Sequence, residues 1–138
     1  MVKAPIIIAI PIQWGDQDMF GHVNNIHFLK WFETARVEYL LQCGARLSNE
    51  GVGPILAAIQ CDYVRQVRHP DTMQVTARIG KVGNSSMTIH HELWSDQQKE
   101  IVARGDSTVV MFDYQQQKPI RVPDTIREKI EDLESKSL

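Results

Sequence analysis

With 138 residues, 43% hydrophobic and 23% charged, the chain has apolar material for one core and too little length for two. A disordered chain is excluded, and one domain over residues 1–138 is expected. Fifteen Lys and Arg against seventeen Asp and Glu leave a formal net charge of -2, which gives no overall pull toward nucleic acid or an anionic membrane. Two cysteines, Cys43 and Cys61, with no CxxC pair or Cys/His cluster, suggest neither zinc nor a disulfide scaffold; both read as small buried thiols in a reducing, cytoplasmic compartment.

Residues Ile6 to Gln13 are rich in isoleucine and flanked by Pro5, which reads as an opening strand. The apolar stretch Ile6 to Ile10 is too short for a signal-peptide core or a membrane span. Asp16 to Asn24, with Gly15 just before and Gly21 within, reads as a loop. The period then becomes helical. Phe28, Leu29, Phe32, Ala35, Tyr39, Leu40 and Cys43 recur at three- and four-residue steps, with Lys30, Glu33, Thr34, Glu38 and Gln42 mostly elsewhere on the wheel. Asn24 or Asn25 suits the N-cap and Gly44 the left-handed residue past the C-cap. This longest and most apolar helix is expected to be the buried one.

After a loop rich in Gly and Ser, the period drops to two. Ile59, Cys61 and Tyr63 alternate with polar neighbours; so do Met73, Val75, Ala77 and Ile79, and then Met87, Ile89, His91 and Leu93. Pro70-Asp71, Gly83-Asn84 and the run Ser95 to Gln98 mark the connections. Ile101 to Phe112 forms a last long strand with Ala103, Gly105 and Ser107 on one face. Ile126, Ile130 and Leu133 are spaced for a short surface helix between Pro123 and Ser135. The final Ser135-Lys136-Ser137-Leu138 has the wrong order for a peroxisomal tail and reads as a frayed end. Strands joined by short turns favour an antiparallel sheet, and one apolar helix beside it makes an α+β layer. Such a sheet has open edges that a protein must cover or pair.

The chemistry concentrates in Trp14-Gly15-Asp16-Gln17-Asp18-Met19-Phe20-Gly21-His22-Val23-Asn24-Asn25. A carboxylate, a glycine, a histidine and two asparagines lie on a loop that runs into the buried helix. The helix start presents unpaired N–H groups and partial positive charge, which suits a developing oxyanion. A carboxylate a few residues upstream can act there as base or nucleophile. The same residue types are also common in caps and turns, and on physical grounds alone both readings stand. Asp16 reads as a loop-stabilising acceptor. Glu33 can pair with Lys30 or Arg36 along the helix. His90 and His91, adjacent in a strand, face apart and make no metal pair. No GxSxG elbow, P-loop or Rossmann glycine fingerprint is present. The basic clusters Arg65 to His69, Arg78 to Lys81 and Arg104 are candidates for a polyanionic ligand.

The string Asp18-Met19-Phe20-Gly21-His22-Val23-Asn24-Asn25, followed by Phe28-Leu29-Lys30-Trp31-Phe32-Glu33-Thr34-Ala35-Arg36, resembles the 4-hydroxybenzoyl-CoA thioesterase family, especially its acyl-CoA thioesterases. The resemblance spans nearly the whole chain. It implies the α+β hotdog fold, a curled antiparallel five-stranded sheet wrapped around one long central helix. It implies hydrolysis of an acyl-thioester, with Asp18 as nucleophile or general base, the Asn25 backbone N–H polarising the carbonyl, and His22 beside the thioester. Gly21, Asn24, Tyr63, Ser85 and Ser86 are the substrate-binding positions, and Phe28, Trp31, Phe32 and Ile59 are further candidates for the acyl pocket. No metal and no cofactor beyond the substrate's own coenzyme A is implied. The expected partners are an acyl-CoA or acyl-carrier-protein thioester and a second copy of the chain, as a homodimer or a dimer-of-dimers tetramer, with no nucleic acid or membrane. A non-catalytic acyl-thioester-binding module and, more remotely, a hotdog hydratase remain alternatives.

Overall fold

A computed structural model describes residues 3–45 and 51–137. In chain order the elements are β1 (Ile6–Pro11), a 3-10 turn (Trp14–Asp16), α1 (Asn25–Gln42), β2 (Val52–Tyr63), β3 (Thr72–Val82), β4 (Ser86–Ser95), β5 (Glu100–Asp113), β6 (Lys118–Pro119) and α2 (Asp124–Lys136). All strand pairs are antiparallel. The sheet runs β1-β3-β4-β5-β2, with β6 paired to the end of β5.

Helix α1 lies across one face of the sheet, mainly on β3 and β1 and reaching β4 and β5. The Asn24 side chain accepts from Ile26 N–H at 3.0 Å and caps its start. At the other end Ala45 N–H bonds Leu40 C=O and Gly44 N–H bonds Leu41 C=O, the paired closure of a Schellman motif. Gly44 sits at φ +83, where a side chain is strained. The buried stripe is Phe28, Trp31, Phe32, Ala35, Arg36, Tyr39 and Leu40. It meets Met73, Val75, Met87, Ile89, Leu93, Val109 and Met111 from the sheet, all nearly inaccessible. Burial of each large side chain contributes roughly 1.5–3 kcal/mol, so this one interface supplies much of the folding drive. One long helix on an antiparallel sheet of this order is the hotdog arrangement.

The structure corrects several expectations. β6 adds a sixth short strand to the expected five. β1 ends at Pro11, two residues early, because the chain turns toward the 3-10 segment. β2 starts at Val52 rather than near Ile59. It opens on half-buried Val52, buried Gly53 and half-buried Pro54, and from Ile55 to Gln60 every residue is exposed, so its first half shows no apolar alternation. Leu29 is only half-buried, while Trp31 and Arg36 take its place on the stripe. On the side of α1 away from the sheet Ile26, Val37 and Leu41 stay exposed. Cys43 is buried as expected, but Cys61 only partly so. α2 runs through Ser135 and Lys136, so the tail is not frayed there; Glu134 fixes it by accepting from Tyr39 O–H at 2.5 Å and Ile79 N–H at 3.0 Å. Most of the Gly/Ser-rich loop, residues 46–50, lies outside the described residues, as does Leu138. No described helix is long and apolar enough to cross a membrane.

Candidate active site

The loop before α1 is closed by its own backbone. Asp18 N–H bonds His22 C=O at 2.8 Å and Gly21 N–H bonds Asp18 C=O at 3.1 Å, while Gln17 and Val23 form an antiparallel bridge. Gly21, at φ +77, makes this tight turn possible. One Asp18 carboxylate oxygen accepts from Phe20 N–H at 2.9 Å; the other has no protein partner among the described residues. Asp16 behaves as expected, its carboxylate accepting from Gln13 N–H at 2.8 Å.

The loop is held from outside by the segment that follows β2. Val23 N–H bonds Val67 C=O at 2.7 Å, and His69 N–H bonds the Gln17 side-chain oxygen at 3.1 Å. Between these, Arg68 Nη2 lies 2.9 Å from His22 Nε2. The chain then enters α1. Asn24 spends its side-chain oxygen on the cap, and Asn25, the first helical residue, keeps its N–H free of any protein acceptor among the described residues. That is the position where a helix offers a donor and partial positive charge to a ligand. From the far side, Tyr63 O–H reaches Asn25 C=O at 3.3 Å, and the Tyr63 ring packs on Phe28 at 5.2 Å. Partial burial first, then neighbouring Cys61, keeps the Tyr63 hydroxyl above its ordinary pKa, so it remains a donor.

Asp18, His22, Asn24, Asn25, Phe28 and Tyr63 thus share the walls of one open cleft of about 700 Å³, completed by Phe20, Val64, Arg65 and Gln66. Gly21 does not line it; it serves the turn behind. Trp31 and Phe32 are buried in the core rather than facing the cleft, because the stripe they share with Phe28 rotates away from the helix start. Ile59 lies on exposed β2, outside the cleft. Ser85 and Ser86 sit at the other end of the sheet. Ser86 pairs with Val110, and Tyr63 pairs with Ala103, seven ladder positions or roughly 23 Å away, so a single chain does not bring the serines to the cleft. Of the basic clusters, only the first reaches the site: Arg65 on the cleft wall, itself paired with Glu100 at 2.6 Å, and Arg68 on His22. Arg78 and Arg104 lie with the His90–Asp106 pair around a different hollow. Among the described residues no three His, Cys, Asp or Glu side chains converge as a metal site.

A second polar cluster was not anticipated. Arg36 Nη1 donates to Ser107 Oγ at 3.1 Å. His91, stacked on Phe32 at 4.8 Å, bonds Ser107 Oγ at 2.9 Å and Thr76 C=O at 3.0 Å. Burial drives the His91 imidazole down to a pKa of about 4 and also lowers that of Arg36. Each member sits at an apolar position of its element, Arg36 between Phe32 and Tyr39, His91 between Ile89 and Leu93, Ser107 in line with Ala103; Glu33, exposed, reaches Arg36 at 3.6 Å as the spacing suggested.

Residues 12–130 match the family described as the thioesterase-like superfamily. A structure of a thioesterase from Thermus thermophilus, complexed with coenzyme A and zinc, is 29% identical with a TM-score of 0.87, covering 100% of both chains. The long-chain acyl-CoA thioesterase FadM of Escherichia coli is 23% identical over 84% of this chain and 89% of its own length. YsmA of Bacillus subtilis, an uncharacterized protein, is 32% identical over 59% of this chain; the match spans 56% of that protein's length.

Proposed function

The chain belongs to the thioesterase-like superfamily, and from that premise we propose that it hydrolyses an acyl-coenzyme A thioester in the cleft before α1. The observation that carries this reading is the convergence of Asp18, with one carboxylate oxygen unpartnered, and the uncommitted Asn25 N–H on one cleft. A thioester carbonyl bound there points its oxygen at the helix start, where developing negative charge is stabilised. The free carboxylate oxygen either attacks the carbonyl carbon or takes a proton from a water that attacks it. In the first route the coenzyme A thiolate is expelled, leaving an acyl anhydride on Asp18 that one water cleaves to free acid. In the second the C–S bond breaks once the water has attacked, and the thiolate leaves with a proton. Tyr63, Asn24 and His22 surround the same point, and Gly21 lets the loop fold tightly beside it. The coenzyme A in the Thermus thermophilus relative and the acyl-CoA substrate of FadM support this carrier over an acyl-carrier protein.

The active unit in this proposal is a dimer. β2 is a twelve-residue edge strand, with Leu56, Ile59 and Tyr63 exposed on one face and Ile55 on the other. Antiparallel pairing of two such edges covers this apolar surface and continues the sheet. It also carries the partner's serine-bearing turn toward this chain's cleft, where Ser85 and Ser86 would meet the coenzyme A portion. The chain should sediment as a dimer or a multiple of it.

The test is thiol release from a panel of acyl-CoA esters. Asp18→Asn should lower kcat about a hundred- to ten-thousandfold with an unchanged melting temperature. Undiminished turnover in that variant overturns the role of Asp18, and ester binding without hydrolysis across the panel favours the non-catalytic binder.

A further inference from the structure

We infer that Arg68 is a positioning residue: it fixes the tautomer of His22, so that the imidazole in the cleft works as a hydrogen-bond donor and not as the base. The inference rests on the function proposed above. A guanidinium has five N–H donors and no lone pair to give. Its Nη2 stands 2.9 Å from His22 Nε2, a hydrogen-bond distance, so Nε2 is the acceptor. The ring's single proton then sits on Nδ1. Whatever His22 gives to a bound thioester leaves from Nδ1, and the nitrogen lone pair that could take a proton is already occupied. Among the described residues on the cleft wall, Asp18 is left as the carboxylate base.

Arg68 is exposed, and an exposed guanidinium is ordinarily free to wander, which makes most such contacts worth little. This one differs because its backbone is tethered on both sides to the loop it serves. Val67, almost fully buried, accepts from Val23 N–H, and His69 N–H donates to Gln17. His69 also meets the Trp14 ring edge-on at 5.6 Å. The Arg68 Cα and the His22 Cα are therefore held across two short backbone-anchored bridges, so the side-chain contact costs little additional ordering. These bridges survive removal of the Arg68 side chain, which lets its role be tested without unfolding the loop.

The alternative for a cationic residue near this cleft is direct contact with substrate phosphate. The two roles separate in kinetics. A positioning residue lowers kcat with little change in KM, while a phosphate ligand raises KM and leaves kcat alone.

The experiment is long-range proton–nitrogen NMR of the 15N-labelled free protein, joined to steady-state kinetics on an acyl-CoA ester that the wild type turns over. His22 is expected to show a pyrrole-like Nδ1 and a pyridine-like Nε2. In Arg68→Ala this pattern should be lost and kcat should fall about ten- to a hundredfold, with KM within about twofold. Arg68→Lys, whose ammonium still donates N–H and has no lone pair, should restore the pattern in part and the rate with it. In a His22→Ala background, Arg68→Ala should cost nothing further. A protonated Nε2 in the wild type, or a higher KM with intact kcat in Arg68→Ala, overturns the inference. Because the tautomer is read on the free protein, it decides this point even if no thioester is hydrolysed, an outcome that would sink only the proposed function.

Discussion

Two polar clusters lie along α1, one at its start and one around Arg36 about three turns further on, and they differ in what their groups have left to give. Around Arg36, Ser107 and His91 every buried side-chain nitrogen and oxygen has a partner, and the imidazole is closed in by Phe32. Around Asp18, His22 and Asn25 one carboxylate oxygen and one backbone N–H have no partner among the described residues and stand beside open solvent. Chemical type does not separate the clusters, since each holds a histidine and a charged residue. Saturation does. A satisfied buried network specifies a core, whereas an unsatisfied group at a helix start is available to a ligand. The difference predicts that changes in the sealed cluster act on stability and changes in the open one act on rate.

The largest effect should come from Gly105→Ala, on the floor of the sealed side. A Cβ there would stand 2.5 Å from the Phe32 ring and closer still to the Gln60 carbonyl oxygen, and neither neighbour is free to retreat. Overpacking of this kind costs about 3 kcal/mol or more. Thermal melting should show a drop of well over ten degrees or failure to fold; a melting curve like the wild type's would mean that α1 can lift off the sheet here.

Next comes acid. His91 has an ordinary pKa of 6.5 and a folded value of about 4, lowered first by burial, with Arg36 and His90 adding to the depression and Thr76 C=O and Asp106 opposing it. The folded chain therefore binds fewer protons than the unfolded one between these values. Stability should hold above pH 6.5 and decline as pH falls from there to about 4, by up to roughly 3 kcal/mol. Denaturant titrations across that range measure it. A His91→Phe variant, which has no proton to bind, should flatten the slope; an equal slope in that variant would assign the acid sensitivity elsewhere.

Ser107→Ala should follow, at about 1–3 kcal/mol, because it strands Arg36 Nη1 and one His91 nitrogen without their shared hydroxyl. Turnover per folded molecule should be unchanged. A loss of kcat without loss of stability would erase the distinction between the clusters.

The sequence carried the open cluster far better than the sealed one, for physical reasons. Asp18, Gly21, His22, Asn24 and Asn25 are contiguous, so their proximity follows from one turn and one helix start. β3, β4 and the buried positions of β5 were legible because one face is apolar and the other polar. The first half of β2 was not, since Gly53 and Pro54 interrupt the apolar pattern and the run from Ile55 to Gln60 is exposed on both faces, which leaves no alternation to read. The sealed cluster unites residues 36, 76, 91 and 107 from four elements, and only the strand register joins them. Arg36 falls on the apolar stripe of α1, but nothing shows what it meets there until the pairing of the sheet places Ser107 beneath it. Gln66 and Val64 on the cleft wall, and Arg68 behind His22, depend in the same way on how the chain returns from β2.

The smallest effect falls where the two principles meet, at Asn24. Its side-chain oxygen is committed to the Ile26 N–H, as in the sealed cluster, yet the residue lines the open cleft. Asn24→Ala removes the cap and should lower stability by about 1 kcal/mol. Asn24→Asp keeps an oxygen acceptor there and adds a negative charge that the helix start favours, so stability should be retained or slightly raised. The same charge opposes the negative charge that develops on a thioester oxygen at Asn25 N–H, so kcat should fall in Asn24→Asp although the protein melts no earlier. Asn24→Ala therefore reads the cap through stability, and Asn24→Asp reads the developing charge through rate with stability retained. If Asn24→Asp lost neither, the developing charge would lie away from the start of α1, and the cleft would have to bind its carbonyl by some other donor.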